Sequence, residues 1–130
     1  MPPPAEFRHR STLDVRFRDV DLMGHVNNAV YSTFLEEARI DVLGGLADFI
    51  LARVEIDFRS ELRAGEEIEV GTRCSRIGTK SFELEHEIRA NGRLAAEAKS
   101  VLVGYDYELG GSVPLPEELK ERLSGPRAEA

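Results

Sequence analysis

Apolar and polar residues alternate with a period of two in five stretches of this chain, and recur with the period of a helix in one long stretch. Leu13, Val15 and Phe17 alternate with Asp14, Arg16 and Arg18, which predicts a strand with one wet face. In residues 29–43, Tyr31, Phe34, Leu35, Ala38 and Val42 fall on one side of a helix. Asn27 or Asn28 is a natural N-cap for that helix, and Gly44-Gly45 a natural stop. In residues 49–59, Val54, Ile56 and Phe58 oppose Arg53, Glu55, Asp57 and Arg59. A turn at Ala64-Gly65 leads to a strand over 67–77, with Ile68 and Val70 on one face. Gly78-Thr79 connects it tightly to residues 81–89, where Phe82, Leu84, His86 and Ile88 face away from Glu83, Glu85, Glu87 and Arg89. Asn91-Gly92 signals a hairpin into a last long strand over 93–107. Its run Val101 to Val103 is apolar on both faces, which suits a central or interface position.

The order is strand, one long helix, then four strands joined mostly by short turns. One long helix covering one face of an antiparallel sheet is an α+β arrangement. Glu36, Glu37, Arg39 and Asp41 are assigned to the outer side of the helix, with Glu36 and Arg39 spaced for a local ion pair. Pro114-Leu115-Pro116 opens a short helix over 117–123. Residues 1–10 read as a flexible lead-in, 11–124 as a single domain and 125–130 as a polar tail.

The 130 residues suffice for one domain with a real core. A net charge of −7 argues against generic nucleic-acid binding, which needs a basic face. A single cysteine, Cys74, excludes an internal disulfide and a multi-cysteine metal site, and its strand position suits a buried small apolar residue. No apolar run approaches the roughly 18 residues of a membrane span. The proline-rich start lacks a hydrophobic signal core, so a cytoplasmic location and no membrane partner are expected.

Candidate chemistry concentrates in residues 19–28. A helix start offers unpaired N–H groups and a partial positive charge, which can polarise a carbonyl oxygen. Asp21, seven residues before Asn28, can act beside it as base or nucleophile. That pairing suits acyl transfer or hydrolysis; the same residues also make an ordinary polar turn and a capped helix. Asp19 is a rival carboxylate, or a tether for the turn. His25 lacks a second ligand at metal spacing, so no metal is expected, and it is read as shaping the loop and lining the pocket. Asn27 either caps the helix or bonds substrate or water. His86, on the apolar side of its strand, is read as a hydrogen-bonded core or interface histidine, while His9 falls in the lead-in.

The string Asp19-Val20-Asp21-Leu22-Met23-Gly24-His25-Val26-Asn27-Asn28, continued by Tyr31, Phe34, Leu35, Glu36, Glu37, Ala38 and Arg39, resembles the acyl-CoA thioesterases of the hotdog fold, in the branch typified by 4-hydroxybenzoyl-CoA thioesterase. Val54 to Phe58, Gly65, Arg76-Ile77-Gly78, Ser81-Phe82, Ala96-Glu97 and Val101 to Val103 follow in the family's order. The resemblance covers roughly residues 12–123.

It implies a five-stranded antiparallel sheet wrapped around one long helix. It also implies homodimers whose sheets join, with active sites at the interface, and often homotetramers. Asp21 matches the family's catalytic carboxylate, and the N–H of Asn28 the group that polarises the thioester carbonyl. The implied reaction is hydrolysis of an acyl-CoA to a carboxylic acid and free coenzyme A, with no cofactor beyond the coenzyme A of the substrate. Gly24 and Tyr31 belong to the motif that binds substrate. Lys80 and Ser81 occupy the region where family members contact the CoA nucleotide, with Arg59 and Arg76 as further candidates for its phosphates. Another hotdog branch uses a glutamate on the long helix; Glu37 is assigned instead to a surface or interface ion pair. Met23, Leu46, Phe49, Ile50 and Phe58 are expected to shape the acyl pocket. A non-catalytic acyl-CoA-binding module and an enoyl thioester hydratase or dehydratase are the rival readings.

Overall fold

The structure is a computed structural model that describes residue 7 and residues 9–124. The expected tail 125–130 and most of the expected lead-in lie outside the described residues. In chain order the elements are β1 (His9–Asp14), a 3-10 turn (Phe17–Asp19), α1 (Asn28–Leu43), β2 (Phe49–Phe58), β3 (Glu67–Ile77), β4 (Ser81–Ala90), β5 (Arg93–Asp106), β6 (Gly111–Ser112) and α2 (Glu117–Ser124). The sheet is antiparallel in the order β1-β3-β4-β5-β2, and the two-residue β6 adds to β5. The sheet therefore has six strands, one more than expected. The extra one forms because the chain folds back after the turn at 107–110.

Residue alternation becomes burial most clearly on β4. Phe82, Leu84, His86 and Ile88 are fully buried, while the intervening residues stay partly solvated. Ile68 and Val70 on β3 and Ala96 and Leu102 on β5 join the same face. α1 lies against β1 and β3 and turns Tyr31, Phe34, Leu35 and Ala38 onto this face. Asn27 caps it by accepting from the Ala29 N–H at 2.9 Å. Gly44 ends it in the left-handed region, φ 78°, with its N–H on Ile40 O. The hairpin β4–β5 turns at Asn91 and Gly92, both with positive φ, as a two-residue turn requires.

The apolar interior falls into two clusters. One holds Tyr31, Phe34, Leu35, Leu62, Ile68, Val70 and Ile88. The other holds Phe82, Leu84, Leu102, Leu115 and Leu119. Between them runs a buried polar row. Arg39 Nη1 donates to Ser100 Oγ at 3.0 Å, His86 Nε2 lies 3.0 Å from Ser100 Oγ, and His86 Nδ1 lies 3.1 Å from Thr72 Oγ1.

Three expectations need correction. Arg39 is buried at 3% exposure, not on the outer side, because it stands four residues after Leu35 and so on the same helical face. β1 starts at His9, inside the expected lead-in, where the imidazole bonds Asp41 at 3.0 Å. That strand also stops at Asp14: the chain turns at Phe17, which is 85% exposed. β2 is a sheet edge, and its apolar residues Leu51, Val54 and Phe58 remain exposed within the subunit. The double-sided apolar run Val101 to Val103 lies on β5, flanked by β4 and β2.

Candidate active site

Residues 19–28 fold as a polar turn closed on itself. The Asp21 N–H donates to His25 O at 2.8 Å, and the Gly24 N–H donates to Asp21 O at 3.0 Å. Gly24 takes φ +83°, a conformation that glycine adopts without steric cost. The Asp21 carboxylate accepts from the N–H groups of Met23 at 2.9 Å and His25 at 3.3 Å, both through Oδ1. Asp19 is a different kind of carboxylate. It is 3% exposed, and both its oxygens are taken by Arg16, including the Arg16 N–H at 2.8 Å. Burial alone would raise its pKa, but these hydrogen bonds and the guanidinium charge outweigh that and hold it below the usual range. Asp19 therefore tethers the turn.

Asp21, His25, Asn27, Asn28, Tyr31, Phe58, Arg59, Ser60 and Glu61 line one cavity of about 530 Å³. The N–H of Asn28, at the start of α1, has no acceptor among the described residues. Asn27 commits its side-chain oxygen to the helix cap. Tyr31 is 2% exposed and packs edge-on against Phe58, with ring centres 4.9 Å apart. Burial raises its pKa. Arg59 is held by Glu97 through Nε and Nη2, at 3.1 and 2.9 Å.

Glu61 escaped the sequence reading. Its Oε1 lies 2.7 Å from His25 Nε2, and its Oε2 accepts from Arg63 Nη2 at 3.0 Å. The hydrogen bond from Arg63 is the chief reason its pKa is lowered, with the His25 charge adding to it. No spacing rule links His25 to a loop glutamate so far downstream; only the fold joins them.

The expected nucleotide-binding residues lie elsewhere. Phe58 pairs with Ala96 on β5, whereas Ser81 pairs with Val103, at the Phe49 end of β2. Arg76, Lys80 and Ser81 thus sit at the opposite end of the sheet from Asp21. Arg76 has no side-chain partner among the described residues, and Lys80 Nζ reaches only Ser112 Oγ, at 3.4 Å. Met23, Leu46, Phe49 and Ile50 do not line the cavity of the single subunit; Phe58 does. Among the described residues, no group of three or more His, Cys, Asp and Glu side chains is placed to hold a metal ion.

Residues 15–123 match the family model of the thioesterase-like superfamily. The chain belongs to that superfamily, and its fold is the hotdog fold. A thioesterase of Thermus thermophilus, solved with coenzyme A and Zn, is 39% identical; the match covers 89% of this chain and 97% of that one, with a TM-score of 0.82. The long-chain acyl-CoA thioesterase FadM of Escherichia coli is 27% identical over 126 residues, 88% of this chain and 96% of FadM. A 1,4-dihydroxy-2-naphthoyl-CoA thioesterase from Synechocystis, 19% identical, covers 92% of this chain and 98% of its own with a TM-score of 0.81, and shares the fold. Family and relatives together make this chain a thioester hydrolase.

Proposed function

We propose that the protein hydrolyses an acyl-CoA thioester to a free carboxylic acid and coenzyme A, with Asp21 as the catalytic carboxylate. The observation that carries this reading is a shared cavity: Asp21 and the unbonded N–H at the start of α1 both border it. A thioester carbonyl oxygen bound at the Asn28 N–H would be polarised by that donor and by the helix dipole. Asp21 would then either take a proton from an attacking water or attack the carbonyl carbon itself, the acyl-enzyme being cleaved by water in a second step. Either route breaks the C–S bond and releases coenzyme A. No resident cofactor enters this scheme. Gly24 supplies the turn that presents Asp21, Tyr31 walls the cavity, and His25 and Asn27 hold its rim.

The separation of Arg76, Lys80 and Ser81 from Asp21 supports a homodimer. Ten residues of β2 span roughly 30 Å. A second copy added antiparallel along the open β2 edge would bring its Phe49 end beside this chain's Phe58 end. Its Arg76, Lys80 and Ser81 would then border this chain's cavity and hold the CoA phosphates. Leu51, Val54 and Phe58, exposed in the single subunit, would be covered by the same pairing. Homotetramers would arise from a second pairing of such dimers.

The test is thiol release from short-chain, long-chain and aromatic acyl-CoA, with wild type beside Asp21→Asn. Wild-type turnover is expected, with a loss of about 100-fold or more in kcat for the variant. A folded wild type that releases no thiol from any of the three overturns the reading.

A further inference from the structure

We propose that Glu61 is a positioning residue for Asp21, acting through His25. The tip of the turn that carries Asp21 has no packing within the subunit, since Leu22 is fully exposed and Met23 78% exposed, whereas Val26 at its far side is buried in the core and Val20 packs against it. Beside the Asp19–Arg16 tether, a second polar anchorage comes from residues 61–63 and holds the His25 side of the turn. Val26 N–H donates to Leu62 O at 2.9 Å, His25 pairs with Arg63 as an antiparallel bridge, and His25 Nε2 meets Glu61 Oε1 at 2.7 Å. Glu61 is itself braced from two sides. Arg63 Nη2 donates to its other carboxylate oxygen, and Arg93 Nη2 donates to its backbone O at 2.7 Å. Arg93 is fixed in turn by Glu66 at 2.9 Å.

From His25 the connection to Asp21 is direct. The Asp21 N–H donates to His25 O, and the His25 N–H donates to Asp21 Oδ1. These bonds close the turn, so a shift of the His25 ring and backbone is passed to the carboxylate. A small displacement of a reacting group is costly to catalysis, which gives a surface ion pair a kinetic consequence. With Nε2 engaged on Glu61, the ring cannot rotate freely, and Nδ1 has no protein partner among the described residues.

The kinetic part of this inference rests on the reading of Asp21 as the catalytic carboxylate; the anchoring part does not. Both are tested with Glu61→Ala, Glu61→Gln, His25→Ala and the Glu61→Ala/His25→Ala pair. In Glu61→Ala, amide hydrogen exchange at Asp21 and Val26 is expected to quicken about tenfold, while the amides of β3 and β4 keep their rates. The same variant is expected to lose about tenfold in kcat with KM changed less than about twofold. Glu61→Gln, whose amide oxygen still accepts from Nε2–H, should recover most of both. In the His25→Ala background, Glu61→Ala should add nothing further. Unchanged exchange and kcat in Glu61→Ala, or a full effect persisting without His25, overturns the proposal. Faster exchange in a protein that hydrolyses no thioester keeps the clamp and discards the proposed reaction instead.

Discussion

At the scale of single residues, the two carboxylates of the motif are separated by their surroundings, not by their sequence. Asp19 is buried and bound by Arg16 on both oxygens, whereas Asp21 is exposed and bound only by backbone N–H groups. A carboxylate with its lone pairs taken by a guanidinium is poorly placed to attack or deprotonate anything. Asp19→Asn should therefore act on stability. Its folded pKa is lowered, so its contribution is complete above the unfolded value and is lost as pH falls through the folded one. The variant is expected to lose about 1–2 kcal/mol at neutral pH, seen in urea melts, and to show less further loss on acidification than wild type. At pH 7 it should keep kcat far better than Asp21→Asn does. The residue pattern located the motif and the cap. It placed Arg39 outside, although its four-residue spacing from Leu35 pointed inward, since a charge is normally a surface signal.

At the scale of elements, the interest lies in the polar row that crosses β3, β4 and β5 beneath α1. His86 is fully enclosed, with both ring nitrogens bonded to hydroxyls and Arg39 nearby. Burial first, and the Arg39 charge second, push its pKa down to about 3. Arg39 pays for its own burial as well: its pKa is lowered by desolvation, and its Nε has no partner. The sign for His86 follows from linkage. The unfolded chain protonates this histidine near its ordinary value of about 6.5, and the folded protein refuses the proton until about pH 3. Stability therefore falls as pH drops below about 6.5, and goes on falling to about 3. His86→Asn, which keeps a donor and an acceptor, should flatten the fall between pH 6.5 and 5, measured by thermal melts across that range. A slope identical to wild type would remove His86 from the account. The row also explains why the core divides in two: apolar side chains cluster on either side of groups that must bond one another.

At the scale of the whole molecule, the sheet is closed on neither side. β1 is one edge, and β2, with ten residues and exposed Leu51, Val54 and Phe58, is the other. A long apolar edge left open invites pairing or aggregation, and no bulk element of the described subunit covers it. A bulge between Leu51 and Arg53 marks the strand without shortening it. Under the proposed dimer, Val54→Asp should place a carboxylate in the join between sheets. Sedimentation velocity at micromolar concentration should then show a smaller species than wild type, with thiol release reduced about tenfold or more as the nucleotide-binding end is lost. An unchanged sedimentation coefficient would place the assembly on another surface.

The one-dimensional pattern by itself determined the strands β3, β4 and β5, the extent and caps of α1, and the turn residues between them. Each of these depends on neighbours within a few positions: alternation for a pleated face, a four-residue recurrence for a helix, Asn-Gly for a tight hairpin. The turn and cap built by Asp21, Gly24 and Asn27 are local in the same way, so their shape could be read directly, whereas a catalytic role for them came only from the family resemblance. Tertiary structure alone decided the rest. It drew Glu61 to His25, buried Arg39 against Ser100, made β2 an edge and set Lys80 at the far end from Asp21. Those relations join residues distant along the chain, where no periodicity carries information. They are settled by strand order and by the need of each buried polar group to find a partner.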